Sequence, residues 1–567
     1  MCEKIMNAES FKSETRSARV KNPCHVQLIP SLFLLLPFIL LTSCQDRLGT
    51  GGSGELVFSQ NQLNQVDTLN LQKSIATTHP STNPMTQPAG PPPAEMSLTI
   101  EQSRQMALAN NLDLSVQLFN PTISRTGLTA AEAQFEAVFF TNVTGGTART
   151  AVAPRVIGQR FDQVTADFGL QIPLRTGGSI RIDVPPEWSR TNTDPAVSIY
   201  TNTPSISIIQ PLLRGGGLYV NTQGIRIAFY EFQRSQAATK LEVIRVLTDV
   251  DHAYWQLYAA REALKVRKKE YDSAYAQLER ARRQARAGVA AEPDVVRADS
   301  GVADTVENII IAENTVRQNE RTLKRLLNDP SLPLDAPTTL VPTTLPAAFP
   351  YEVDPARLTA AALNQRIEML DLELQLAEQT SNVAVARNGL LPLVTLQYTY
   401  GVSGLGRSES QSWNMIWEKT PDSHQLSLQV QVPIGNEAAR SNLRAAILRR
   451  MQLLASRQQE TLQIREEIAD AADTLTTDWQ RIIAAHERVV LSSRTYDVEV
   501  RQFGLGLRTS TDVLIAESDL ADAELAEVSA ISDYQIAQVD IAFATGTVLG
   551  ASHVDWQPVS EPSVPRY

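Results

Sequence analysis

Cysteine is nearly absent: the 567-residue chain has three, Cys2, Cys24 and Cys44, all before residue 45. The rest of the chain therefore cannot carry a disulfide framework, a thiolate zinc site, an iron–sulfur cluster or a cysteine nucleophile. Histidine is scarce too, with six scattered residues and no pair at metal-ligand spacing. Dinucleotide and phosphate-binding glycine loops and the G-x-S-x-G nucleophile elbow are missing. These gaps predict no catalytic residue, no metal and no cofactor, hence no enzyme. An excess of positive charge is also lacking, since 51 basic residues face 62 acidic ones for a net charge of −11. That balance argues against a nucleic-acid partner.

Long apolar runs are lacking except for one, residues 28–41, which follows Arg16, Arg19 and Lys21. It is short for a bilayer-spanning helix, which needs ~20 residues, and has the length of a secretory signal's apolar region. It ends in Leu41-Thr42-Ser43-Cys44, which resembles the lipobox of bacterial lipoproteins. The resemblance implies a signal peptide over 1–43, cleaved before Cys44, with lipid (palmitate) on the Cys44 thiol. An ordinary signal peptide with an incidental cysteine is the alternative. Residues 44–95 then read as a lipid-anchored tether, rich in glycine and, from His79 onward, in proline.

The body repeats itself. Ala107-Leu108-Ala109-Asn110-Asn111-Leu112 has a counterpart in Ala361-Ala362-Leu363-Asn364-Gln365-Arg366, and Pro211-Leu212-Leu213-Arg214-Gly215 has one in Pro433-Ile434-Gly435. This divides the chain into a first repeat over 96–328, a linker over 329–355, a second repeat over 356–550 and a tail over 551–567. Each repeat holds a very long helical stretch, Asn221 to Ala287 and Glu437 to Phe503, nearly free of glycine and proline. In the first, Val243, Val246, Val250, Ala253, Leu257, Ala260 and Leu264 recur at steps of three and four, the beat of supercoiled helices. In the second, Ile464, Ile468, Ala471, Leu475, Ile482, Ala485 and Val489 do the same. Glycines follow each stretch, then a returning helix over Asp294–Leu327 or Thr511–Thr547, which predicts two helical hairpins.

Elsewhere the period drops to two. Strands are expected at about 138–147 and 196–210 in the first repeat and at about 393–400 and 425–432 in the second, with an extra hairpin over 164–184. Polar faces of glutamine and threonine opposite apolar faces suit membrane barrel strands, and suit a half-exposed soluble sheet as well. Four strands cannot close a barrel, so a barrel would require several chains.

Four strings carry a family resemblance: Leu98-Thr99-Ile100-Glu101, Ile209-Gln210-Pro211-Leu212-Leu213-Arg214-Gly215, Asn388-Gly389-Leu390-Leu391-Pro392 and Gly506-Leu507-Arg508-Thr509-Ser510-Thr511-Asp512-Val513-Leu514. Their order and twofold repetition resemble the TolC-type outer-membrane efflux proteins, in the lipoprotein branch, over Met96 to Gly550. The resemblance implies a mainly α fold with a membrane β-barrel: a homotrimer whose long hairpins form an α-barrel tunnel continuous with a 12-stranded β-barrel, four strands per chain. It implies a passive efflux duct in the outer membrane with a periplasmic helical domain. Its partners would be outer-membrane lipid, a periplasmic adaptor and an inner-membrane pump of RND or ABC type. A periplasmic gate is implied at Asp294, Phe503, Arg508 and Asp512, in which Asp294 pairs with Arg508, with Ile515 where an acid is usual and Phe503 where a tyrosine is usual. A type I protein-secretion outlet and a structural lipoprotein coiled-coil stalk are the alternatives.

Overall fold

A computed structural model of the chain describes residues 95–150, 159–191, 197–288, 292–419, 422–555 and 557, all within the second of two compact units, Gly90–Tyr567. The signal, Cys44 and nearly all of the tether lie outside the described residues. Strand β1 (Glu95–Leu98) leads into α1 (Ile100–Asn110), α2 (Leu112–Gln117) and α3 (Phe119–Ala133). Then come β2 (Val138–Thr150), β3 (Gln159–Pro173), β4 (Ser179–Val184), β5 (Pro186–Thr191), β6 (Val197–Asn202), β7 (Ser205–Pro211), α4 (Leu218–Asn221), α5 (Gln223–Arg286) and α6 (Glu292–Leu327). The second half runs through β8 (Thr339–Pro342), α7 (Pro355–Gln365), α8 (Ile367–Asn388), β9 (Leu393–Val402), β10 (Gly404–Gly406), α9 (Glu409–Lys419), β11 (Asp422–Gln431), α10 (Glu437–Gly504), α11 (Ser510–Ala544) and α12 (Val548–Ala551).

The long helices form where expected. With no proline in their interiors, α5 and α10 run for 64 and 68 residues, roughly 100 Å each at 1.5 Å per residue. The predicted stripe on α5 is the buried one: Val243, Val246, Val250, Ala253, Leu257 and Ala260 are all at most 7% exposed. Along α10 the stripe is buried at Ile464, Ile468 and Leu475 and only half-buried at Ala471, Ile482, Ala485 and Val489, with Ala472 buried in place of Ala471. Four helices lie abreast at every level. Toward the hairpin turns the order is α6, α5, α11, α10; toward the sheet α3 takes the place of α6 and α8 that of α11, giving α3, α5, α8, α10.

Between these levels a belt locks the helices together. Strand β1 pairs in parallel with β8, and Leu98, Leu247, Leu257, Leu323, Leu327 and Leu340 are almost wholly buried there. Each contributes about 1.5–3 kcal/mol of hydrophobic stabilisation. The Tyr254 hydroxyl donates to the Leu98 carbonyl at 3.0 Å and accepts from the Thr344 amide at 2.9 Å. Thr99 caps α1 in a reciprocal box with Gln102. The segment read as a plain linker over 329–355 therefore contains a strand that is part of the belt.

The sheet joins the extra hairpin to the expected strands. Its ladders are all antiparallel, and β4 and β5 continue one another in register against β3, as do β6 and β7 against them, and β9 and β10 against those. Six long lanes result: 138–150, 159–173, 179–191, 197–211, 393–406 and 422–431. The four expected strands are all present. The extra hairpin supplies two complete lanes between the first and second expected strands. Lanes three to five break along one transverse row, at Pro185, Thr203 and Ser403. Between β10 and β11, α9 packs on β6 and β10, with the Asn202 amide donating to the Ser412 hydroxyl at 3.0 Å.

All four helices abreast at the sheet end feed a lane. Asn388 at the end of α8 ties the two halves there, its side chain accepting from the Gly215 amide at 2.8 Å and donating to the Leu213 carbonyl at 3.2 Å. The turn between lanes two and three ends at the same level, where the Gly217 amide donates to the Thr176 carbonyl at 3.0 Å.

Candidate functional site

The expected gate residues lie at the hairpin turns, the end of the helices farthest from the sheet. Each turn uses a glycine in the left-handed region, Gly288 at φ +73° and Gly506 at φ +77°, where any side chain would cost roughly 1–2 kcal/mol. Behind the first turn, Leu278, Ala281 and Ala298 zip α5 to α6. The two hairpins meet where α6 offers Gly301 to Leu514 of α11; a Cβ on Gly301 would stand 3.1 Å from the Leu514 Cδ1.

The four residues all lie at or beside the two hairpin turns and take local partners. Asp294 pairs with Arg297 on its own helix at 3.4 Å. Arg508 reaches back across the second turn to Glu499 at 3.2 Å and to the Gln502 side chain at 3.0 Å. Asp294 and Arg508 are thus not partners within one chain. Asp512 stands at the third position of α11, where it accepts from the Thr509 amide at 2.9 Å and the Thr509 hydroxyl at 2.8 Å. Those two bonds, with Arg508 nearby, hold its carboxyl below the usual range. Phe503 is half-buried, and its carbonyl accepts from the Gly506 amide at 2.9 Å. Around them Leu505, Leu507 and Ile515 are more than half exposed.

Glu499 escaped the sequence reading because its nine-residue separation from Arg508 across a turn matches no helical period. A second omission lies just behind the tip. Glu517 of α11 is 6% exposed, and among the described residues neither carboxylate oxygen has a hydrogen-bond partner. Burial and the neighbouring Glu270 of α5 push it up to about 7, against the opposing influence of the Ser273 hydroxyl. Tyr496 of α10 faces the same layer, its hydroxyl raised chiefly by burial and then by Glu517.

Ion pairs at an exposed tip are individually weak, about 0–1 kcal/mol, so the arrangement can hold one geometry and release it cheaply. Among the described residues no cluster of histidine, cysteine and carboxylates could hold a metal, and no helix is long and apolar enough to cross a membrane.

The sheet is the other functional element. One face carries Phe139, Val143, Phe168, Leu170, Ile182, Ile206, Ile208, Leu396, Leu426 and Leu428, in register from lane to lane, while the opposite face is rich in glutamine, serine and threonine. The outer edges of β2 and β11 pair with no strand among the described residues.

A protein-family model described as outer membrane efflux protein matches residues 103–329 and 358–547, nearly three quarters of the chain. Among curated proteins, the outer membrane efflux protein BepC of Brucella suis biovar 1 (strain 1330) is 22% identical over 315 residues, covering 54% of this chain and 65% of BepC, just under two thirds. The outer membrane protein TolC of Vibrio cholerae serotype O1 is 22% identical over 338 residues, covering 58% of this chain and 75% of TolC. Among solved structures, the outer-membrane channel OprN shares the fold with a TM-score of 0.58 at 19% identity, over 79% of this chain and 90% of OprN.

Proposed function

This chain belongs to the outer membrane efflux protein family, and we propose that three copies assemble into a passive conduit across the outer membrane and the periplasm. The observation that carries this reading is the pair of open sheet edges beside an apolar face. In lipid, each unpaired backbone group costs several kcal/mol, so an open sheet does not span a membrane. Pairing β2 of one copy with β11 of the next would close the two long edges.

The widths support closure. Six lanes about 4.8 Å apart, tilted by about 40°, subtend about 38 Å. Four helices about 10 Å apart subtend about 40 Å, so sheet and helical wall continue one another around a common axis. Three copies give about eighteen lanes, a size that leaves a water-filled channel, in place of the twelve expected from the sequence.

In this assembly the hairpin turns form the periplasmic mouth. Arg508 with Glu499 and Asp294 with Arg297 fix the shape of each turn, and packing of the turns against one another would narrow the mouth; Asp512 from each copy would face the opening and favour cations there. The exposed Leu505, Leu507 and Ile515 offer an apolar rim to a periplasmic adaptor, through which an inner-membrane pump of RND or ABC type would drive export. Lipid on Cys44 would anchor the chain to the outer membrane. No bond is made or broken in this activity. Purified protein reconstituted into planar bilayers tests it: discrete conductance steps from a heat-dissociable trimer are expected, and a monomer without channel activity would refute it.

A further inference from the structure

The polar face of the sheet is almost uncharged, with one exception. Following the register, the lanes 138–150, 197–211, 393–406 and 422–431 place only neutral residues on that face. The two lanes of the inserted hairpin place Asp167, Arg181, Asp183 and Glu187 there. Asp167, Arg181 and Asp183 sit at the level of Phe168, Ile182 and Ile206 on the apolar face, and Glu187 lies just beyond the transverse break, opposite Thr165.

They form an organised group. Arg181 bridges Asp183 and, at 3.4 Å, Asp167, with its guanidinium 4.5 Å from the Phe140 ring centroid. The Gln163 amide donates to Glu187 at 2.6 Å. The second Asp167 oxygen has no hydrogen-bond partner among the described residues. A cavity of about 370 Å³ opens beside Asp167, Arg181 and Asp183 at the transverse break, lined with Thr203, Ser205, Thr399 and Ser423 hydroxyls. Three acids against one arginine leave the group net negative. A group whose sole purpose was to pin the hairpin would gain nothing from uncompensated carboxylates on a wall otherwise free of charge.

We propose that the inserted hairpin is the charge filter of the barrel, lining the membrane section of the lumen with a negative collar that favours cationic solutes over anions. This rests on the conduit reading above. Fixed charges in a low-dielectric wall focus their field into the pore, where it sorts permeating ions by sign.

The test is the reversal potential in planar bilayers under a tenfold KCl gradient, in the Asp512→Asn background so that the proposed tip carboxylates do not mask the barrel. The triple variant Asp167→Asn, Asp183→Asn, Glu187→Gln is expected to lower the K⁺/Cl⁻ permeability ratio by about twofold or more, and Arg181→Gln to raise it. Glu187→Gln alone keeps the Arg181 bridges and is expected to give a smaller fall in the same direction, should the triple variant not assemble. Channels of normal conductance whose ratio is unchanged in all three would overturn the filter and leave the conduit standing. A parent protein that forms no channel would overturn the conduit, and the filter with it.

Discussion

Replacing Glu517 by glutamine is expected to stabilise the protein at alkaline pH and to leave it nearly unchanged in acid. The carboxyl is buried between α5 and α11 beside Glu270, with no hydrogen-bond partner among the described residues, and titrates at about 7 instead of its ordinary 4.5. Below pH 4.5 it is neutral whether the chain is folded or not, and the fold bears no penalty. Between 4.5 and 7 the folded chain keeps a proton that the unfolded chain gives up, so stability falls as pH rises, and the loss is complete above 7. A displacement of about 2.5 pH units at 1.36 kcal/mol each amounts to at most about 3 kcal/mol per chain. Glutamine has nearly the same shape and never ionises. Guanidinium unfolding of the detergent-solubilised protein, followed by far-ultraviolet circular dichroism at pH 4.5 and pH 8, reads the difference. The variant should match the parent at pH 4.5 and exceed it by up to about 3 kcal/mol at pH 8. An equal difference at both pH values would refute the reasoning, since it would mean that the carboxyl is not held neutral by burial.

Other perturbations address the remaining elements. Arg508→Ser removes the tie to Glu499 and Gln502 and should shift each tip toward opening by up to about fivefold, read as raised single-channel conductance; unchanged conductance counts against the latch. Asn388→Ala leaves the Gly215 amide and the Leu213 carbonyl without their partner and should cost about 1–3 kcal/mol in the same unfolding assay, with no cost if water replaces the side chain. Leu257→Ala opens a cavity in the belt and should cost about 2–5 kcal/mol, whereas an effect below about 1 kcal/mol would show that the belt is not packed as described. Cys44→Ser should abolish incorporation of labelled palmitate; label retained in the variant would place the lipid elsewhere.

The helical part of this fold is legible because its information is local. The 3.5-residue beat of Val243, Val246, Val250 and Leu257 identifies the buried face of α5 without reference to any other segment, and Thr99 with Gln102 marks a helix start within four residues. The sheet is legible only in part. Alternation reveals the strand character of 164–184, yet which lanes flank it depends on pairing with residues at 138–150 and 197–211, and periodicity says nothing of partners. The beat on α10 fades between Ile482 and Val489, which are only half-buried. At the tip, motif matching places Asp294 and Arg508 at the turns, but the partners Arg297 and Glu499 follow from side-chain reach across the turn geometry. The inserted charges Asp167, Arg181, Asp183 and Glu187 were present in the alternation, and only the register shows that they share one otherwise neutral face.

The most direct test of the conduit is electron cryomicroscopy of the full chain in lipid nanodiscs. Three copies closed into a barrel of about eighteen strands are expected, with β2 of each copy hydrogen-bonded to β11 of the next. A barrel of twelve strands with the lanes 159–173 and 179–191 outside it, or a single chain with both sheet edges open, would contradict the account.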